Sequence, residues 1–506
     1  MSDSARGPRA VIVGGGLAGL AAAETLARWR QQTGRPLEIV VLEAKRMAGG
    51  RAGSYQDAES GQDIDYCQHA AMGCCTNFLA LMGRCGLDAY FKRWESLHFL
   101  HPKHPPSRFA ASTWLPAPLH LAGTIDSLRF LSRRQKAEIK RGLWRLMRTP
   151  SSRLADITAG DWLSSAGQSV ETIEAFWDVI LVSALGEKTA RVSMTSARKV
   201  IIDGFASARG ASDVLIPTLP LSELLGRRLV EQLSKQGVRV RTESTVRSID
   251  TKSVTTQDRH VWSADVVICA VPWYRIVALF RSSGSDVLEC LPELRPISSA
   301  ATSAISGIHL WFDQPITDLD HAVFVGTNAQ WLFHDPCAAE ENGAAEENGA
   351  SDSADISESA HVSESTRSNN REHYYQVVIS ASAEIMSDGK EVVLQTVLDE
   401  LKSFFPECRR ARLVRSRLVS DPKSVFSVSS DFESVRPSQK TKADWLFLAG
   451  DWTQTGWPAT MEGAVISGNQ AADYALQTLS GESTPRSFAV DNGLSKGWLA
   501  RLLIRP

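Results

Sequence analysis

The chain has no run of about 18 apolar residues, the length a helix needs to cross a bilayer, so no membrane span is expected. It has almost no net charge: 55 Lys and Arg against 57 Asp and Glu leave −2, and no overall field draws it to nucleic acid. Its eight cysteines are scattered, and none sits in a C-x-x-C spacing, which excludes the usual zinc ligand sets. At 506 residues the chain needs no disulfide staples, so reduced thiols in a cytoplasmic compartment are the simple expectation. Nothing before Val11-Ile12-Val13 has the make-up of a secretory leader, so no signal peptide is expected. The length and the 43% hydrophobic content indicate a globular protein of two or more domains.

What is present begins at Arg9. Arg9-Ala10-Val11-Ile12-Val13 is an apolar strand, Gly14-Gly15-Gly16 a turn, and Leu17-Ala18-Gly19-Leu20-Ala21 the start of a helix. Gly14, Gly16 and Gly19 make a G-x-G-x-x-G in the strand–turn–helix setting that binds a dinucleotide. Gly14 permits the tight turn, Gly16 lets the backbone approach a pyrophosphate, and Gly19 lets the helix lie close on the strand. Leu17 and Ala18 open the helix, whose free N–H groups face the phosphates. Leu37 to Leu42 reads as a second buried strand ending at Glu43, about 20 residues on, where a carboxylate suits the two ribose hydroxyls and disfavours a 2′-phosphate. Ala48-Gly49-Gly50-Arg51 follows.

This order of parts resembles the FAD-binding start of the flavin amine oxidase and phytoene desaturase superfamily. The resemblance implies an α/β fold: a Rossmann-type FAD-binding domain interleaved with an α+β substrate domain. It places Gly49, Gly50 and Arg51 beside the pyrophosphate and flavin, and the backbone of Val246 at the adenine end. A second block, Gly450-Asp451 followed by Met461-Glu462-Gly463-Ala464 and Ser467-Gly468, resembles the closing motif of the same superfamily. There Asp451 would accept a ribityl hydroxyl. The helix opening near Thr460, at Met461 and Glu462, would face the N1–C2=O edge of the flavin.

The domains read as 9–75, 210–280 and 443–480 for FAD, and 76–209 and 281–442 for substrate. Residues 76 to about 205 look mostly helical, and Ser222 reads as a helix cap before Gly237. Residues 338–343 and 344–349 repeat Ala-Ala-Glu-Glu-Asn-Gly, and the stretch 338–372 is too polar to bury a core, so it reads as a disordered insertion. The tail, 481–506, carries Lys496, Arg501 and Arg505 among apolar residues. It suits equally a short helix at the inner face of a membrane and a segment docked on its own domain.

A narrower resemblance lies in Ile64-Asp65-Tyr66-Cys67-Gln68-His69-Ala70-Ala71-Met72-Gly73-Cys74-Cys75-Thr76-Asn77 together with Gly450 to Ala464. These segments resemble the squalene-associated FAD-dependent desaturase-like proteins, the hydroxysqualene dehydroxylases of bacterial hopanoid biosynthesis. The resemblance implies a long-chain isoprenoid substrate and reductive loss of its hydroxyl by hydride from reduced flavin. Such a reaction needs an acid for the leaving group and exclusion of water. His69 is the candidate acid, with a structural histidine as the alternative reading. A carotenoid or phytoene-type desaturase would run hydride the other way. A non-catalytic prenyl-lipid escort shares the fold but lacks parts of the FAD signature, all of which stand here. No second nucleotide fingerprint is present, so the electron donor is unidentified by sequence.

Overall fold

The computed structural model describes residues 7–59, 61–334, 372–481, 491 and 493–505. The repeat region 338–371 lies outside them. Glu372, at its end, pairs with Arg415 at 3.0 Å.

Five short parallel strands organise the nucleotide-binding half. They are β1 (Arg9–Val13), β2 (Glu38–Leu42), β3 (Val238–Arg241), β4 (Val266–Cys269) and β5 (Leu446–Leu448), in the spatial order β3-β2-β1-β4-β5. Val11 stands opposite Val40 on one side and Val267 on the other. A parallel sheet is covered on both faces, which is why these strands are continuous apolar runs and not alternating ones. Helix α1 (Leu17–Thr33) crosses from β1 to β2 and stops at Gly34, whose φ of 68° is left-handed. Helix α2 (Met461–Ser480) follows β5 and lies along α1. Their contact is made of small residues: Thr25 donates to Asn469 at 3.1 Å, and Gly468 sits against the Ala18 carbonyl.

The second half is a seven-stranded sheet in the order 413–426, 302–312, 373–380, 331–334, 321–324, 96–101, 104–110. All its neighbours are antiparallel except 321–324 and 96–101. The long strands Thr302–Phe312 and Leu413–Phe426 pair along most of their length. Helices Arg133–Arg148 and Asp178–Leu185 share a core with the inward face of Ser96–His101.

Two expectations change. Residues 91–110 are not helical: Phe91–Trp94, Ser96–His101 and His104–Ala110 are strands. Leu97 and Phe99 share one buried face with His98 on the other, a period of two that the interspersed histidine disguises. Ser222 does not cap its helix. The helix has already begun, and its hydroxyl donates to Asp63 at 2.7 Å.

Candidate functional site

The two motif blocks, far apart in sequence, meet at the C-terminal ends of β1, β4 and β5. Gly14 has a φ of 110°, and a Cβ there would lie 2.7 Å from the Ala270 carbonyl oxygen, so only glycine turns the chain out of β1. A Cβ on Gly19 would lie 1.9 Å from the Gly14 carbonyl, which is how closely α1 approaches its own entry turn. The second glycine pair rests on the first: Gly49 N–H donates to the Gly15 carbonyl at 2.8 Å, and Gly16 bridges Gly49. Leu17 and Ala18 are buried in the α1 packing, so only their backbone is offered to a ligand.

Glu43 is buried at the end of β2. Its carboxylate accepts the Gly15 N–H at 2.6 Å and the Lys45 N–H at 2.8 Å. It therefore braces the glycine turn and keeps lone pairs for a further donor. Val246 begins the strand Val246–Asp250. It is carried to the same end of the sheet by Ser244, whose N–H donates to the Glu43 carbonyl at 2.8 Å.

Arg51 links the two blocks. Its guanidinium donates to Asp451 at 2.5 Å and to the Ser424 carbonyl at 3.0 Å, and lies over Trp273 at 4.8 Å. Gly450 is held by Ser467, whose hydroxyl accepts its N–H at 2.8 Å. Trp452 donates to the Val271 carbonyl at 3.0 Å, tying the loop after β5 to β4. Sequence reasoning missed Arg436. It is 6% exposed and donates to the carbonyls of Asp451, Thr453 and Trp457, the first and last at 2.7 and 2.8 Å. No motif marks it. Only the folded loop shows that one guanidinium serves three carbonyls.

At α2, the Thr460 hydroxyl accepts the Gly463 N–H at 3.1 Å. The N–H groups of Met461 and Glu462 have no partner within the helix and form its positive end. The Glu462 carboxylate has a different task. It accepts from Asn77 N–H, Asn77 Nδ2 and Phe78 N–H at 3.1, 2.8 and 2.8 Å, capping the helix Thr76–Arg84. Burial raises its pKa, and those three bonds oppose the rise.

These residues fit FAD. Helix α1 has no side-chain cap and no acid in its first turn, so its N–H groups are unopposed. A Cβ on Gly16 would meet only Gly50, at 3.7 Å, so the space above the turn is open to a pyrophosphate.

His69 is half-buried in the strip from Tyr66 to Cys75. Its Nδ1 is 2.8 Å from the Cys67 carbonyl, so Nδ1 carries the proton and Nε2 is an acceptor. Burial lowers its pKa from 6.5, the bond to Cys67 opposes this, and the positive charge of Arg51 lowers it further. The strip starts against the seven-stranded sheet, where a Cβ on Gly307 would lie 2.6 Å from the Tyr66 carbonyl. It ends in a small cluster of Met72, Cys74, Cys75, Ala208, Ala211 and Trp457. Burial pushes the Cys67 thiol up to about 12, and Cys75 is also raised, with the hydrogen bond its thiol makes to Cys74 as the main cause. Among the described residues no three His, Cys, Asp or Glu side chains gather in a metal-sized group. Lys199, which no motif flagged, lies over Trp457 at 4.6 Å and pairs with Asp203 at 2.8 Å.

A parallel sheet with a glycine turn open to a pyrophosphate, joined through Arg51 and the Ser424 carbonyl to a second sheet, is the architecture of a flavin-binding fold. The chain belongs to the flavin-containing amine oxidoreductase family, whose description matches residues 17–476. It is an FAD-dependent oxidoreductase of that superfamily. It is similar to the 15-cis-phytoene desaturase of Solanum lycopersicum, 23% identical over 92% of this chain and 77% of the relative. The 15-cis-phytoene desaturase of Synechococcus elongatus is 24% identical over 92% and 96%. The hydroxysqualene dehydroxylase of Zymomonas mobilis is 25% identical over 92% and 98%. An oxidoreductase from Methanosarcina mazei shares the fold, with a TM-score of 0.63 at 17% identity over 91% of this chain and 98% of that one. A putrescine oxidase bound to putrescine does so equally, at 0.63 and 15% over 93% and 99%. Among the described residues no helix is long and apolar enough to cross a membrane.

Proposed function

We propose that this chain removes the hydroxyl of hydroxysqualene reductively and yields squalene. The observation that carries the reading is the strip Tyr66–Cys75 beside Arg51. It crosses the junction of the two halves with one imidazole, His69, whose pKa burial lowers, among alanines, a glycine and neutral thiols. Such a lining suits a hydrocarbon with a single hydroxyl. It supplies neither the carboxylate nor the anionic pocket that an ammonium substrate needs.

The bond that breaks is the allylic C–O bond, and the hydroxyl leaves with a proton as water. When bound, reduced FAD supplies the hydride that replaces it. Only as the imidazolium does His69 carry a proton on Nε2; in that form it holds the hydroxyl and passes it that proton, and the apolar strip keeps bulk water from the electron-poor carbon. The second reading is a phytoene-type desaturase. The neutral state of His69 favours it, because a free Nε2 takes a proton more readily than it gives one. Phytoene, however, has no heteroatom for His69 to meet.

Two measurements test the proposal. Anaerobic protein carrying reduced FAD, given hydroxysqualene, is expected to form squalene in proportion to flavin reoxidised. Formation of a desaturated product from phytoene with oxidised FAD, and none from hydroxysqualene, would overturn it. His69 adds a pH signature. Its lowered pKa means the imidazolium is lost as pH rises through a value below 6.5, so single-turnover rates should fall above that point. His69→Asn should cost about 10²-fold in rate, flatten that limb and leave flavin content unchanged. An unaltered profile in the variant removes His69 from the proton path.

A further inference from the structure

Three tryptophans stand out of the surface: Trp114 at 91%, Trp498 at 71% and Trp144 at 51% exposure. A tryptophan left in water costs free energy, and single exposed apolar residues are common, but three on one face mark a contact surface. They come from a loop, from the helix Arg133–Arg148 and from the tail helix Trp498–Leu503.

Backbone contacts tie the three segments together. Arg505 N–H donates to the Met147 carbonyl at 2.9 Å, and Arg198 donates to the Arg505 carbonyl. Gly497 lies against Ala117, where a Cβ would be 3.8 Å from the carbonyl oxygen, and Arg209 holds the Leu115 carbonyl at 2.6 Å. The tail helix is therefore docked, with Ala500 and Ile504 buried in the substrate-domain core. It also keeps an outward face. Trp498 and Leu502, four residues apart, share one side of the helix, and Leu502 is 68% exposed. The two sequence readings of the tail are thus compatible: one side packs on the protein and the other is presented to something else.

Charge indicates what that is. The helix Arg133–Arg148, RRQKAEIKRGLWRLMR, holds seven basic residues and one acid, Glu138. Glu138 is buried and committed to Thr172, Ser169 and Arg134. Residues 493–505 contain Lys496, Arg501 and Arg505 and no acid. Next to Trp144 lies an open groove of about 540 Å³ lined by Arg145 and Arg153, with Asp161 the single acid on its walls. On a chain of net charge −2, this is a local concentration of positive charge around an apolar centre.

We propose that this face seats the protein on an anionic lipid bilayer surface. Tryptophan rings and Leu502 enter the headgroup boundary while the arginines meet lipid phosphates, the two terms that together set interfacial binding. The inference does not depend on which isoprenoid the enzyme uses.

The test uses full-length, flavin-loaded protein with vesicles of phosphatidylcholine alone or with about 30% phosphatidylglycerol. The protein is expected to sediment with the anionic vesicles at low salt and much less in high salt. Trp114→Ser combined with Trp144→Ser and Trp498→Ser should lower partitioning roughly tenfold or more, with flavin absorbance unchanged. Should that variant lose its flavin, Trp114→Ser alone and quenching of the parent protein by brominated lipid serve instead, since only rings inside the bilayer are quenched. The proposal fails if the parent protein stays in the supernatant, or if the variant pellets as well as the parent. It fails also if the parent is a dimer in solution that the substitutions split, because the apolar face would then be covered by a second copy.

Discussion

Gly468→Ala should yield a protein that retains little flavin and unfolds at a much lower temperature. A Cβ at this position would lie 2.0 Å from the Ala18 carbonyl oxygen and 3.1 Å from Ala22 N. Both obstacles are backbone of the facing helix, so no side chain can swing aside. The helices must part, and inserting volume into a contact this close costs about 3 kcal/mol or more. The damage does not stay local. Helix α1 follows the glycine turn, whose open space fits a pyrophosphate, and α2 carries the positive end formed at Met461 and Glu462. Separating them pulls apart the two ends of the cofactor site. The matched control is Gly83→Ala, near the end of the helix Thr76–Arg84, where an added Cβ meets nothing within 4 Å. That change removes a helix-weakening glycine and should leave stability equal or higher by up to about 1 kcal/mol. Flavin per chain, read from absorbance at about 450 nm, and thermal unfolding report both. A fully yellow Gly468→Ala with the parent's unfolding temperature would show that the helix contact does not hold the site together.

Arg51→Gln has the second large effect. The side chain of Asp451 is 5% exposed, and Arg51 is the cation beside it. Removing the guanidinium leaves a buried carboxylate without its charge partner, a loss of about 3–5 kcal/mol for a well-buried pair. Arg51 itself is 29% exposed at its side chain, so solvent offsets part of this and the lower end is expected. Because the same guanidinium reaches Ser424 and covers Trp273, its loss also loosens the join between the two halves. Flavin affinity should fall by about 10²-fold, the equivalent of nearly 3 kcal/mol. Adding Asp451→Asn removes the orphaned charge, so the double variant should be less damaged than the sum of its parts. Equilibrium flavin binding to apoprotein for all four combinations measures the coupling. Strict additivity would show that Arg51 and Asp451 act apart.

Much of the nucleotide-binding half was legible because its signals are local. Gly19 answers to a contact within a few residues, Gly14 to its own left-handed φ at the turn, and β1, β2 and β4 are buried runs that need no partner to be recognised. Where signals depended on distant partners, reading failed or stayed incomplete. Leu97 and Phe99 show a strand's period only against the core they face, with a histidine set between them. Ser222 has the right type for a cap, but Asp63 claims its hydroxyl. Glu462 stands in a flavin motif, yet its carboxylate caps a neighbouring helix at Asn77 and Phe78. Arg436 belongs to no motif, and its worth comes from three carbonyls that converge on it only after the loop past β5 has closed.

Covalent order alone was enough to specify a dinucleotide turn, its bracing acid and the superfamily, because a strand, three glycines and a helix obey short-range sterics. The protonation state of His69, the meeting of Arg51 with Asp451 and the two-sided tail helix belong to the folded chain. Each depends on burial and on groups hundreds of residues away or on another element. Neither quantity exists until the two halves pack.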